Sequence, residues 1–187
     1  MDQQWVDLAG ELRALGMWAS LSEEQAAAAE RAVANGDYPF GIDDPLEGVG
    51  WFFADGEELA EGQIRTVLAK IEPALRDHGV DVRLEVINHP SVGDDQGDYV
   101  VAINGRPCVM WSQDDWVTRR ARWTATVRPF AVINDLLAEA GASARLFTLY
   151  AGAEDAIGWL LDPRIVAAVA DSGLIKESEI PAQATHD

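Results

Sequence analysis

The fold is decided by residues 80–111, which read VDVRLEVINHPSVGDDQGDYVVAINGRPCVMW. From Val80 to Val86, apolar residues alternate with charged ones, the pattern of a strand with one buried and one solvated face. Further on, Asn104-Gly105 separates two apolar runs, Tyr99–Ile103 and Arg106–Trp111. Asn-Gly favours a type I′ turn because both central residues of that turn need positive φ. The stretch therefore predicts a three-stranded antiparallel meander on which the rest of the chain packs.

The elements around this meander predict the fold class. Helical patterns precede and follow it, so we expect an α+β fold with an antiparallel sheet built on a central Asn-Gly hairpin and helices on one face. A length of 187 residues fits one domain. We expect a helical N-terminal segment at 1–36, a Gly/Pro-rich connector at 37–50, a main body at 51–175 and a frayed tail at 176–187.

Local signals predict where the first helices begin. Ser22 to Gln25 matches a capping box, in which the serine and the glutamine satisfy each other's backbone N–H groups. Asp55 is placed to cap a helix near 57–78, which Gly79 ends. Pro73 removes one N–H inside that helix and predicts a kink or a break.

The pattern of residues 116–128 favours neither helix nor strand, because Trp116 and Trp123 are mixed with four of the chain's twelve arginines. Pro129 suits the first turn of a helix that follows. The arginine group from Arg119 to Arg128, beside Trp116 and Trp123, is suited to clamp an anion. The alternative is that the chain's own carboxylates neutralise these arginines.

The net charge is the unusual feature of the composition. The chain has 32 acidic and 14 basic residues, and its formal net charge is −18. Such a field repels phosphate backbones and anionic lipids, so we expect no direct nucleic-acid binding and no membrane binding, and it attracts a basic partner. A proteome-wide acidic bias would give the same composition. One cysteine, the absence of a long apolar run and an N-terminus unlike a secretion signal lead us to expect a cytoplasmic protein.

Motifs give little support for catalysis or metal binding. His89 and three nearby aspartates offer ligands in one loop, but their spacing is not that of an EF-hand and such residues are common in turns. Cys108 could form a dyad with His78 or His89, but no reactive-cysteine signature surrounds it. The sequence contains no phosphate-binding glycine motif. We therefore expect no catalytic residue, no metal and no cofactor.

Two functions remain. The first is a non-enzymatic acidic protein that neutralises a basic protein partner, in its sharpest form an immunity protein for a cationic toxin domain. The second is an enzyme or small-ligand-binding domain that uses the Arg119–Arg128 group as an anion site. For the first, we expect the contacts to come from exposed acidic loops and one aromatic anchor. These residues are Asp43, Asp44, Glu47, Asp94, Asp95, Asp98, Asp114, Asp115 and Trp116.

Overall fold

The structure is a computed structural model that describes residues 2–41, 50–90 and 97–186. Within these residues it contains seven α-helices, one short 3₁₀ helix and seven strands. In chain order they are α1 (Gln3–Ala14), α2 (Glu23–Ala34), β1 (Trp51–Phe53), α3 (Gly56–Ala60), α4 (Ile64–Asp77), β2 (Leu84–Asn88), β3 (Tyr99–Ile103), β4 (Arg106–Trp111), α5 (Gln113–Val117), α6 (Ala121–Glu139), β5 (Arg145–Leu149), β6 (Ile157–Leu161), α7 (Pro163–Ser172), the 3₁₀ helix (Glu177–Glu179) and β7 (Ala182–Gln183).

Helices and antiparallel strand pairs together confirm the predicted α+β class. By its internal contacts the chain divides into two compact units. The helical unit comprises the chain up to Trp51 and Leu161–Pro181, with α1, α2 and α7. The mixed unit comprises Phe52–Leu160 and the chain from Ala182 onward. In the mixed unit, one sheet has the strand order β2-β3-β4 and the other has the order β1-β6-β5-β7.

The predicted hairpin is present. Strands β3 and β4 pair in antiparallel fashion up to Ile103 and Arg106, and Asn104 and Gly105 between them have φ values of 51° and 78°. The Asn104 side chain accepts a hydrogen bond from the Arg83 backbone N–H at 2.6 Å and donates one to the Asp81 carbonyl at 2.9 Å. The turn residue therefore also fixes the chain that leads into β2.

Strand β2 differs from its prediction in position and in burial. It begins at Leu84 rather than Val80 and pairs antiparallel with β3, so it is an edge of its sheet. Val86 and Ile87 are 46% and 56% exposed, so the expectation of one buried face along this strand is wrong. The reason is that β2 is an edge strand, so its apolar side chains are only partly covered by the core. Val80 is buried, but outside the strand.

Helix α6 is the centre of the mixed unit. It packs against β4 of one sheet and β5 of the other, and most of its side chains between Ala121 and Leu137 are buried. The expected start at Pro129 is wrong, because the helix begins eight residues earlier and Pro129 lies inside it. A helix covered on most sides has no clear apolar stripe, so its period is hard to detect in the sequence.

The predicted helix near 57–78 is two helices. Asp55 caps the first as expected, its carboxylate accepting from the N–H groups of Glu57 and Glu58 at 2.8 and 3.1 Å. The chain then turns at Gly62, which has a φ of 98°, before α4 begins. Helix α4 continues past Pro73, so the proline does not break it.

The chain beyond Pro181 differs from the expected frayed tail. Strand β7 pairs antiparallel with β5, and the side-chain amide of Asn134 on α6 donates to the carbonyls of Leu146 at 3.0 Å and Ala184 at 2.8 Å. The Asn134 side-chain oxygen accepts from the Leu146 N–H at 2.6 Å. This buried side chain therefore ties α6 to β5 and to the end of the chain.

In the helical unit, the predicted capping box at the start of α2 is present in both directions between Ser22 and Gln25. Helix α7, which we placed in the main body, belongs to this unit and packs against α1. Further along, the Tyr38 hydroxyl donates to the carbonyl of Glu179. In the described residues, no helix is both long enough and apolar enough to span a bilayer.

Candidate functional site

The predicted acidic contacts divide into three groups. Asp43, Asp44, Glu47, Asp94 and Asp95 lie outside the described residues. Asp98 is half-buried, and its carboxylate accepts the Gln113 backbone N–H at 3.0 Å, so it fixes the start of α5. Asp114, Asp115 and Trp116 lie on α5, which puts them on regular structure rather than in a loop.

Asp115 is a structural residue. Its side chain is only 5% exposed, which corrects the expectation that it lies on an exposed loop. It forms a capping box with Ser112, accepting the backbone N–H at 2.9 Å and the hydroxyl at 2.8 Å, and it pairs with Arg128 Nη1 at 2.6 Å. Burial alone would raise the pKa of Asp115, but the hydrogen bonds from Ser112 and the Arg128 guanidinium outweigh it and hold the pKa below its usual value.

Asp114 and Trp116 do reach the surface. Asp114 is exposed, and Trp116 is 40% exposed although its ring lies 5.3 Å from that of Trp111. Val117 beside it is 77% exposed, the highest value among the large apolar residues described. The end of α5 therefore presents apolar surface to solvent.

The arginine group is partly neutralised by the chain, as the alternative reading predicted. Arg122 pairs with Glu57 at 2.9 Å and with Glu154 at 3.8 Å, in addition to the pairing of Arg128 with Asp115. Arg120 lies over the Trp123 ring, 5.2 Å from its centroid. Among the described residues, no carboxylate lies within ion-pair distance of Arg119, which is exposed.

An open cavity of about 490 Å³, which we call the Trp116 cavity, lies between the end of α5 and the start of α6. Its lining combines apolar and cationic residues, namely Trp116, Val117, Arg119, Ala121 and Arg122. The sequence predicted the arginine group beside Trp116 as a candidate anion clamp, and it also named Trp116 as an anchor for a protein partner. The missing information was the helix start at Ala121, which brings the end of α5 and the first turn of α6 together.

The backbone near the cavity is tightly built. A Cβ on Gly152 would lie 2.8 Å from the Trp123 backbone nitrogen, and one on Gly56 would lie 2.5 Å from the Gly152 Cα. Only glycine fits such approaches of one backbone to another. The turn that contains Gly152 and the start of α3 are thereby held against the first turn of α6.

A second surface lies in the helical unit. A groove of about 280 Å³ between α1 and α7, the α1–α7 groove, has Asp7, Glu11 and Asp171 on its rim and the buried Leu8 and Ala168 below. Among the described residues that line this groove, none is basic. Within the part of the chain that the structure describes, none of these three carboxylates forms an ion pair.

The structure gives no support for Cys108 as a nucleophile or for His89 as a metal ligand. Burial raises the pKa of the Cys108 thiol to about 12, which opposes thiolate formation. His89 packs edge-on against Tyr99, with the ring centroids 4.5 Å apart. Across residues 2–41, 50–90 and 97–186, no group of three or more His, Cys, Asp or Glu side chains is arranged to hold a metal ion.

Comparison of the chain with protein-family models, with curated proteins and with solved structures finds no significant match.

Proposed function

We propose that this chain is a non-enzymatic protein that binds and neutralises a basic protein partner, and that an immunity protein for a cationic toxin domain is the sharpest form of this function. The observation that carries the proposal is the charge of the helical unit. Its residues in the sequence, 1–51 and 161–181, include fourteen acidic and four basic ones, a formal charge of −10. A field of this size raises the association rate of an oppositely charged partner.

The α1–α7 groove gives this charge a shape that suits lysine and arginine side chains. Asp7 and Glu11 are one helical turn apart on α1, and Asp171 faces the groove from α7. The aliphatic stem of a long basic side chain can lie against Leu8 and Ala168 while its charged end stays between the carboxylates. The groove thus offers both the charge and the apolar contact that such a side chain needs.

The candidate contacts from the sequence are retained where the structure leaves them accessible. Asp114 and Trp116 are exposed and remain candidates for partner contact. Asp43, Asp44, Glu47, Asp94 and Asp95 lie outside the described residues and remain candidates from the sequence alone. Asp98 and Asp115 already hold the Gln113 N–H and Arg128, so their replacement would disturb folding as well as binding.

The test begins with the native partner, captured from the cells of origin on the immobilised chain and then purified. We expect a basic protein whose association rate falls steeply with added salt. The groove variant Asp7→Asn/Glu11→Gln/Asp171→Asn should slow association about tenfold at low ionic strength. The control variant Asp37→Asn/Asp77→Asn/Glu177→Gln removes the same charge from exposed positions outside the groove and should slow it less.

Stopped-flow or surface-plasmon measurements between 20 and 500 mM salt would give the association rates of the parent and of the two triple variants. An acidic partner would overturn the proposal. So would association that is independent of salt and equal for the parent and the groove variant. Equal effects of the two triple variants would exclude the groove as the contact while leaving the general acidic field in place.

A further inference from the structure

We infer that the Trp116 cavity binds an aromatic anion, meaning a planar ring that carries a carboxylate or a phosphate. This site lies in the mixed unit and does not depend on the acidic surface of the helical unit. Its volume of about 490 Å³ lies within the range of small-molecule sites. The inference rests on three features of the cavity: its apolar wall, its cations and the backbone of Arg119.

The apolar wall suits a flat ring. Trp116 contacts Trp111 yet keeps 40% of its surface exposed, so the indole is held in place and still accessible. Val117 and Ala121 add apolar surface to the cavity lining. An aromatic ligand stacked on a fixed indole gains contact area without ordering a flexible side chain, because the neighbouring ring already fixes the indole.

The two arginines of the lining have different roles. Arg122 is held by Glu57 and Glu154, so its charge is largely balanced within the chain. Arg119 has no such partner among the described carboxylates. A guanidinium offers a planar pair of N–H donors that matches a carboxylate or phosphate group. Arg119 is therefore the residue that would take the anionic group.

The backbone of Arg119 is the third feature. Its φ is 60°, in the left-handed region, directly after the Thr118 cap of α5. The Arg120 N–H reaches the Asp115 carbonyl at 2.7 Å, and the Arg119 N–H reaches the Trp116 carbonyl at 3.1 Å. This is the Schellman pattern, whose left-handed position is normally glycine. An arginine at this position lowers stability, and a residue kept in a strained conformation beside a cavity is characteristic of a binding site.

The direct test is a ¹H–¹⁵N NMR titration with phenyl phosphate and, separately, with benzoate, each up to 50 mM. Benzyl alcohol and inorganic phosphate serve as controls that carry only the ring or only the charge. We expect the indole N–H of Trp116 and the side-chain N–H of Arg119 to shift with at least one aromatic anion. The comparison of the two anions shows whether phosphate or carboxylate is preferred. No saturable shift with either, or equal shifts with benzyl alcohol, would overturn the inference.

Variants separate binding from folding. Arg119→Gln should weaken binding about tenfold, since it removes one charge-assisted contact. Arg31→Gln, a matched change at an exposed arginine on α2, should leave binding unchanged. Arg119→Gly should weaken binding at least as much as Arg119→Gln while raising the melting temperature by about 1–4 °C, because glycine relaxes the left-handed position. Unchanged binding by Arg119→Gln, or a lower melting temperature for Arg119→Gly, would contradict the assignment.

Discussion

The replacement Asp115→Asn should destabilise the fold, although the residue lies in a sequence otherwise suited to partner contact. The substitution keeps the shape of the side chain but removes its charge. It weakens the 2.6 Å pairing with Arg128, and the two Ser112 bonds, both accepted by Oδ2, are left with a neutral amide oxygen, which is a weaker acceptor than a carboxylate. Hydrogen bonds to a charged group are worth about 1.5–3 kcal/mol each, and the Arg128 side chain is partly exposed, so we expect a net loss of about 2 kcal/mol.

For a chain of this length, a loss of that size lowers the melting temperature by about 4–8 °C. Urea unfolding followed by tryptophan fluorescence gives the free energy directly. The control is Asp114→Asn, which removes a charge from the exposed neighbouring position and should change stability by no more than about 0.5 kcal/mol. Equal stability of the two variants at pH 7 would refute the structural role of Asp115.

The pH dependence provides a second check. The pKa of Asp115 is lower in the folded protein than in the unfolded chain, so its contribution is fully present above the unfolded value of about 3.9. It is lost as the pH falls through the lower, folded pKa. The difference between the parent and Asp115→Asn should therefore be constant from pH 7 to about 5 and should shrink below about 4. A difference that grows on acidification would have the wrong sign.

Two further predictions concern buried groups of the mixed unit. Asn134→Ala should lower the free energy of unfolding by about 3 kcal/mol, because it leaves the buried Leu146 N–H and the Ala184 carbonyl without the Asn134 amide, while the Leu146 carbonyl keeps only the Ala184 N–H. Asn35→Ala at an exposed helix end should cost less than about 1 kcal/mol. Cys108 should resist iodoacetamide at pH 8 in the folded protein and react once urea unfolds it, because burial raises the pKa of its thiol to about 12. Rapid alkylation of the folded protein would contradict the buried position.

The features that the sequence predicted correctly depend on neighbouring residues. The Asn104-Gly105 turn and the Ser22–Gln25 capping box each require only four or so consecutive residues, and both are present. The class of the fold follows from the order of such elements. Strand β2 was misplaced because its position depends on pairing with Ile103 and Val101, some fifteen or more residues away.

The candidate site was harder to predict because its parts come from separate elements. Asp115 reads as a loop carboxylate until Arg128, thirteen residues further on, is placed beside it by α6. Pro129 favours the start of a helix over its interior, and this preference concealed the first two turns of α6. Packing between two sheets stabilises the longer helix. Local helix propensities contain no information on that packing, so they do not predict the full length of α6.

The two proposed surfaces differ in how charge acts on them. In our proposal the helical unit attracts a basic protein through many exposed carboxylates. Salt would weaken this attraction, because charges more than about 8 Å apart are largely screened at physiological ionic strength. The Trp116 cavity must instead bind an anion against a net charge of −18, so its attraction depends on the short-range contact with Arg119 and on stacking with Trp116. Salt screens the repulsion of the whole chain more than it screens that contact. Added salt should therefore weaken the first interaction and leave the second equal or stronger, which allows the two surfaces to be tested independently in the same protein.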